Sequence, residues 1–193
     1  MVLTGYELNS AKFTPDGRKV LTSCSWYDCA LLWCIETGTI CQKFAPHNSA
    51  VLHSSMSCDM STVATASWDG ALILWWADGT QRRVLTRCGE KSKLYVAFDP
   101  KGERLVSAGI NHVAQIWPLN QEPTTLVGHG NSVACAEWSA DGEHLVTGSY
   151  DTTAKVWDAS GRLLLTLQGH QEAVRAVAFA PRKKDCSYSI AYS

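Results

Sequence analysis

Short stretches of alternating or wholly apolar residues recur along the chain, each closed by a cluster of Gly, Asp, Asn or Pro. No long stretch keeps the 3.6-residue period of a helix, so the pattern predicts strands and turns throughout. One stretch reads as four strands, about Val133–Trp138, His144–Ser149, Ala154–Trp157 and Leu163–Leu167. Asp16-Gly17 and Asp141-Gly142 are tight-turn dipeptides, placed where Gly supplies a positive φ. The strands near Trp33 and Trp75 are apolar on both faces, which suits a sheet sandwiched between neighbouring sheets.

The pattern repeats. Trp33, Trp75, Trp117 and Trp157 lie 42, 42 and 40 residues apart, and a period of about 40 marks a repeat architecture. In the fourth unit Trp138-Ser139-Ala140-Asp141-Gly142 leads into Leu145–Asp151 and then Ala154-Lys155-Val156-Trp157-Asp158. Phe98–Gly102, Leu105–Asn111 and Ala114–Trp117 match it in the third, and Ser57–Met60, Val63–Asp69 and Leu72–Trp75 in the second. In these three units Asp or Asn precedes the Trp by six residues. The first unit runs from Phe13 to Trp33 with one extra residue, so Tyr27 and Asp28 compete for the Asp slot. A fifth opens at Gly169-His170, reaches Phe179-Ala180-Pro181, and is partial, with Ser187–Ser193 as its last stretch.

With Gly128-His129, Trp157-Asp158 and Gly169-His170, the chain resembles the WD40 repeat family. The Trp-Asp pair becomes Trp33-Cys34, Trp75-Trp76 and Trp117-Pro118 elsewhere, and Gly-His becomes Pro46-His47 or Cys88-Gly89. The resemblance implies an all-β, β-propeller segment of four blades plus part of a fifth. The expected organisation is a single repeat domain over 1–193, with units at about 4–45, 46–87, 88–127, 128–168 and 169–193. Rings of this family usually hold seven or eight blades. An open arc or fragment of a larger propeller is therefore expected, with a compact four-bladed ring or closure by another chain as alternatives.

The candidate chemistry centres on His129, Thr147, Asp151 and Trp157, a set that recurs as His47, Thr65, Asp69 and Trp75. A histidine, a hydroxyl and a carboxylate suggest a hydrolytic triad, but no nucleophile-elbow pattern surrounds either hydroxyl. Recurrence in a sheet array also argues for structure. The resemblance implies a hydrogen-bond chain from Asp to His, His to hydroxyl and hydroxyl to indole. Ser149 is an alternative hydroxyl to Thr147. The third unit has Gly89 and Asn111 at the His and Asp positions, and the first has no evident His. Both are expected to rely on packing. The residue before the Asp slot is Trp26, Trp68, Ile110 or Tyr150. By resemblance these lie on the top face and contact partners, and packing against neighbouring blades is the alternative.

Composition narrows the rest. With 46% hydrophobic residues and a net charge of −1, the chain can bury a core and has no global attraction to nucleic acid or acidic membranes. Its longest apolar runs, such as Ala71 to Ala77, last seven residues, whereas a membrane-spanning helix needs about 20. Met1–Gly5 lacks the charged and apolar regions of a signal peptide. Eight cysteines include no Cys-x-x-Cys pair, so they read as small buried hydrophobes in a reducing compartment, with no metal site. Arg82, Arg83, Arg87, Lys91 and Lys93, with Arg182, Lys183 and Lys184, form two mild basic clusters. The expected function is a non-catalytic, cytoplasmic (or nuclear) scaffold for protein–protein interaction, with no cofactor, no membrane contact and self-association through open blade edges. A nucleic-acid-associated propeller using the basic loops is the alternative.

Overall fold

A computed structural model describes residues 8–25, 28–86, 93–180 and 190–192. Every regular element among them is a strand, so the all-β expectation holds. The chain divides into two compact units, Met1–Val96 and Ala97–Ser193.

The first unit holds two four-stranded antiparallel sheets. One is β1 (Leu8–Phe13), β2 (Lys19–Cys24), β3 (Cys29–Cys34) and β4 (Ile40–Phe44). The other is β5 (Val51–Met56), β6 (Thr62–Ser67), β7 (Leu72–Trp76) and β8 (Gln81–Thr86). Strands follow chain order because each turn joins neighbours. Every residue of β6 is buried, whereas Gln81, Arg82 and Arg83 at the start of β8 are exposed. The inner strands are thus covered on both faces and the fourth forms the edge. The two sheets meet through Leu21, Ala30, Leu32 and Phe44 on one side and Val63, Ile73 and Trp75 on the other. A buried bond from Ser23 Oγ to Ser54 Oγ (2.7 Å) joins them.

β9 (Lys93–Phe98) spans the unit boundary and forms a sheet with β10 (Arg104–Gly109), β11 (Ala114–Pro118) and β12 (Thr124–Leu126). A further sheet follows in β13 (Val133–Trp138), β14 (His144–Ser149), β15 (Ala154–Asp158) and β16 (Leu163–Leu167). A two-stranded pair, β17 (Val177–Phe179) and β18 (Ile190–Tyr192), completes the second unit. Within that unit Arg104 donates to Asp99 Oδ2 (2.9 Å) and to the Gly142 carbonyl (2.8 Å). Its guanidinium lies 4.7 Å from the Trp138 ring centroid, so one side chain clamps two sheets.

The first-to-second-strand turns are one device repeated. Gly17, Gly102 and Gly142 adopt φ of 68°, 73° and 73°, and each donates its N–H to the carbonyl three residues back. Met60 makes the same bond in the second sheet at φ 59°, a conformation that disfavours a side chain.

The cysteines differ from the expectation. Cys24, Cys29 and Cys135 are buried, but Cys34 is only half-buried and Cys41 and Cys58 are exposed. Cys41 sits at a bulge and Cys58 in a turn, where no neighbouring sheet covers them. Cys88 and Cys186 lie outside the described residues.

Candidate functional site

Register explains the recurring polar set. Trp157 pairs with Leu145, so its indole lies diagonal to Thr147 on the same face of the sheet. The indole N–H reaches Thr147 Oγ1 at 2.9 Å. His129 Nε2 lies 2.8 Å from the same hydroxyl, and His129 Nδ1 lies 2.8 Å from Asp151 Oδ2. A carboxylate cannot donate, so Nδ1 carries the ring proton and Nε2 accepts from the hydroxyl. Burial lowers the His129 pKa against the opposing pull of Asp151, favouring this neutral form. Burial alone would raise the Asp151 pKa. Hydrogen bonds from Thr153, the Gly130 N–H and His129 outweigh it and hold the carboxyl well below its usual range.

The second sheet holds a looser version. Trp75 Nε1 donates to Thr65 Oγ1 (2.8 Å), and His47 Nε2 lies 2.7 Å from that oxygen. His47 Nδ1 is 4.0 Å from Asp69 Oδ2, beyond hydrogen-bond range. Asp69 instead accepts the Asn48 and Ala71 N–H groups, both at 2.8 Å. An open cleft of about 510 Å³ adjoins the pair, lined by Pro46, His47, Asp69, Gln81 and Val84 among others.

Two hydroxyls were not singled out from sequence. Trp33 Nε1 donates to Thr22 Oγ1 and Trp117 Nε1 to Ser107 Oγ, both at 2.8 Å. A hydroxyl ten residues before each Trp, or eleven in the longer first unit, was the available signal. Ser149, the alternative hydroxyl, is used elsewhere and donates to the Asn131 and Ser132 carbonyls (3.1 and 2.9 Å). Gly89 lies outside the described residues.

The triad-like sets offer no open nucleophile. Thr65 and Thr147 are 0% exposed, and each hydroxyl already holds an indole and an imidazole. Among the described residues no group of three or more His, Cys, Asp or Glu is placed to hold a metal ion.

The residue before the Asp or Asn slot is exposed in the second and fourth sheets. Trp68 is 54% and Tyr150 42% exposed, and Ile110 is half-buried. Trp26 lies outside the described residues. Matching bonds pin both aromatic turns. Trp68 N–H donates to the Ala50 carbonyl and Tyr150 N–H to the Ser132 carbonyl, both at 2.9 Å. Ser67 Oγ and Ser149 Oγ each accept the following aspartate N–H while bonding to the loop ahead of the sheet. Arg175 lies over the Tyr150 ring, 5.7 Å from its centroid. Of the basic residues, Arg82 stacks on Trp76 at 4.2 Å and donates to Thr62 (2.7 Å). Arg87, Lys91 and Arg182–Lys184 lie outside the described residues.

The WD domain, G-beta repeat family model matches residues 38–75, 120–158 and 161–184. The chain is 31% identical over 153 residues to a ribosome biogenesis protein WDR12 homolog of Nematostella vectensis, covering 75% of this chain and 36% of that protein. It is 26% identical over 130 residues to a guanine nucleotide-binding protein subunit beta of Schizosaccharomyces pombe, covering 65% and 42%. It is 30% identical over 148 residues to the nuclear distribution protein PAC1 of Arthroderma benhamiae, covering 63% and 32%. The chain thus spans well under half the length of these curated relatives. Four-stranded antiparallel sheets, repeated indole–hydroxyl bonds and the family match together establish that this chain belongs to the WD40 repeat family.

Proposed function

We propose that the chain is a non-catalytic scaffold of WD40 repeats, organised as one repeat domain, that docks another protein through Trp26, Trp68, Ile110 and Tyr150. The observation that carries this reading is the pair Trp68 and Tyr150, exposed on turns held by equivalent bonds in their own sheets. Large aromatics held rigid and accessible are the residues that dominate protein interfaces. The sets His47, Thr65, Asp69, Trp75 and His129, Thr147, Asp151, Trp157 are assigned a structural role: each aspartate anchors the turn that presents the preceding aromatic. Six free thiols among the described residues suit a cytoplasmic or nuclear setting. Arg82 is engaged with Trp76 and Thr62, so the structural observations favour a protein partner over nucleic acid. The test is affinity capture from cell extract with the wild-type chain as bait, followed by titration of the recovered partner. Trp68→Ala and Tyr150→Ala should each weaken binding by about 2 kcal/mol or more with unchanged melting. Equal affinity for both variants and wild type would sink the proposal.

A further inference from the structure

The second and fourth sheets share a register but fill the space beside the histidine differently. Ser67 N–H donates to the Ala71 carbonyl (3.1 Å), as Ser149 N–H does to the Thr153 carbonyl (3.2 Å). Thr65 pairs with Ile73 and Ile73 with Val84, as Thr147 pairs with Lys155 and Lys155 with Thr166. Ala71, Ile73 and Val84 therefore stand where the fourth sheet has Thr153, Lys155 and Thr166. In the fourth sheet these side chains occupy the space. Thr153 Oγ1 donates to Asp151 Oδ1 (2.7 Å) and lies 3.4 Å from His129 Nδ1, so one hydroxyl serves both groups. The Lys155 stem passes Gly128, where a β-carbon would lie 3.8 Å from Lys155 Cδ and Cε. Its ammonium donates to Thr166 Oγ1 (2.9 Å), and the side chain is buried.

The second sheet keeps the histidine and the aspartate but lacks that filling. Ala71 has no hydroxyl, and Ile73 and Val84 have neither a long stem nor a polar end. The cleft of about 510 Å³ lies here, lined by Pro46, His47, Asp69, Ala71, Ile73 and Val84 among others. That volume is in the range of small-molecule sites. His47 is only 6% exposed. Its Nδ1 is buried and has no hydrogen-bond partner among the described residues. A buried polar atom left unpaired is costly, so a ligand that pairs it is favoured. Asp69 Oδ2 stands 4.0 Å from that nitrogen. A hydroxyl oxygen about 2.8 Å from each atom spans such a gap. It accepts from an Nδ1–H and donates to a carboxylate, the two roles within reach of Thr153 Oγ1 in the fourth sheet.

We propose that the cleft beside His47 binds a small neutral molecule carrying a hydroxyl on an apolar body. The hydroxyl bridges His47 Nδ1 and the Asp69 carboxylate, in place of the threonine hydroxyl that Ala71 lacks. The apolar body lies against Pro46, Ile73 and Val84, in place of the lysine stem. Burial of that body supplies the rest of the affinity.

The test titrates cyclohexanol into the full chain, isotope-labelled at histidine nitrogens and isoleucine methyls, and follows it by nuclear magnetic resonance. The His47 ring and the Ile73 methyls should shift together and saturate, while the His129 ring stays in place. Methoxycyclohexane, which has the same ring but no proton to donate, should bind roughly tenfold more weakly, the loss of one hydrogen bond. Ala71→Thr supplies the hydroxyl from the chain itself and should weaken cyclohexanol binding by a similar factor. Ile73→Lys with Val84→Thr rebuilds the filling of the fourth sheet and should abolish binding; if that double variant fails to fold, Ala71→Thr and the ether still decide. No saturable shift at His47, an equal shift at His129, equal affinity for the alcohol and its ether, or undiminished binding by folded Ala71→Thr would overturn the proposal.

Discussion

At the residue scale one hydroxyl ties several groups together. Thr147 Oγ1 serves the Trp157 indole and the His129 imidazole within 2.9 Å. Thr147→Val should cost roughly 1–3 kcal/mol in urea denaturation, because it leaves buried polar partners unpaired. His129→Ala should fall in the same range. His47→Ala should cost less, since its Nδ1 already stands 4.0 Å from Asp69. His53 makes a pH prediction. Its ring stacks on Tyr95 (4.0 Å between centroids), with Nδ1 2.8 Å from the Val96 carbonyl. Lys12 Nζ lies 3.3 Å from the Tyr95 hydroxyl. Burial first, then the Lys12 charge, lower the His53 pKa to about 3, against a raising bond to Val96. A lowered histidine pKa means the unfolded chain binds more protons between pH 6.5 and about 3. The stabilising contribution is therefore full above that window and lost as pH falls through it, by at most ~1.4 kcal/mol per pH unit. His53→Gln should flatten the slope of denaturation midpoint against pH. An unchanged slope would contradict the assignment.

At the element scale, turns and close contacts decide. Met60 occupies the left-handed position that Gly17, Gly102 and Gly142 hold in the other sheets. Met60→Gly should raise stability by about 1 kcal/mol, the relief of left-handed strain exceeding the added freedom of glycine in the unfolded chain. The readout is a higher urea midpoint at unchanged slope. Gly148 makes the opposite case. A β-carbon there would lie 2.8 Å from Cys135 Sγ and 2.9 Å from the Val174 carbonyl oxygen. Gly148→Ala should cost roughly 1–3 kcal/mol through overpacking, and a neutral substitution would show that the Val174 segment yields. The units aligned by sequence place Ala66 and Ala108 at this same position. Periodicity therefore marks the strand, but not which neighbour approaches it.

At the scale of the whole molecule, exposed apolar surface predicts association. On β16, Leu163, Leu164 and Leu165 are all exposed, Leu165 at 57%, on the edge strand of its sheet. A strand edge flanked by apolar side chains favours pairing with another chain. The isolated chain is expected to show concentration-dependent association by light scattering. Leu165→Lys should reduce it without lowering the melting temperature, since that side chain is mostly solvated. Association unaffected by Leu165→Lys would place the contact elsewhere.

Strand identity, repeat period and the grouping into four-stranded sheets follow from local pattern, because a period of two and Gly or Asp turns act over a few residues. The alignment of His129, Thr147, Asp151 and Trp157 with His47, Thr65, Asp69 and Trp75 was legible for the same reason. Thr22 and Ser107 were legible only as spacings, since their use depends on the diagonal register across two strands. Tertiary structure alone decided the differences between aligned residues. It separated the 2.8 Å His129–Asp151 contact from the 4.0 Å His47–Asp69 gap. It left Trp68 and Tyr150 in solvent while burying Trp75 and Trp157. Each of these depends on distances of a few ångströms set by packing between elements, and a pattern along one chain cannot encode a distance between two surfaces before they meet.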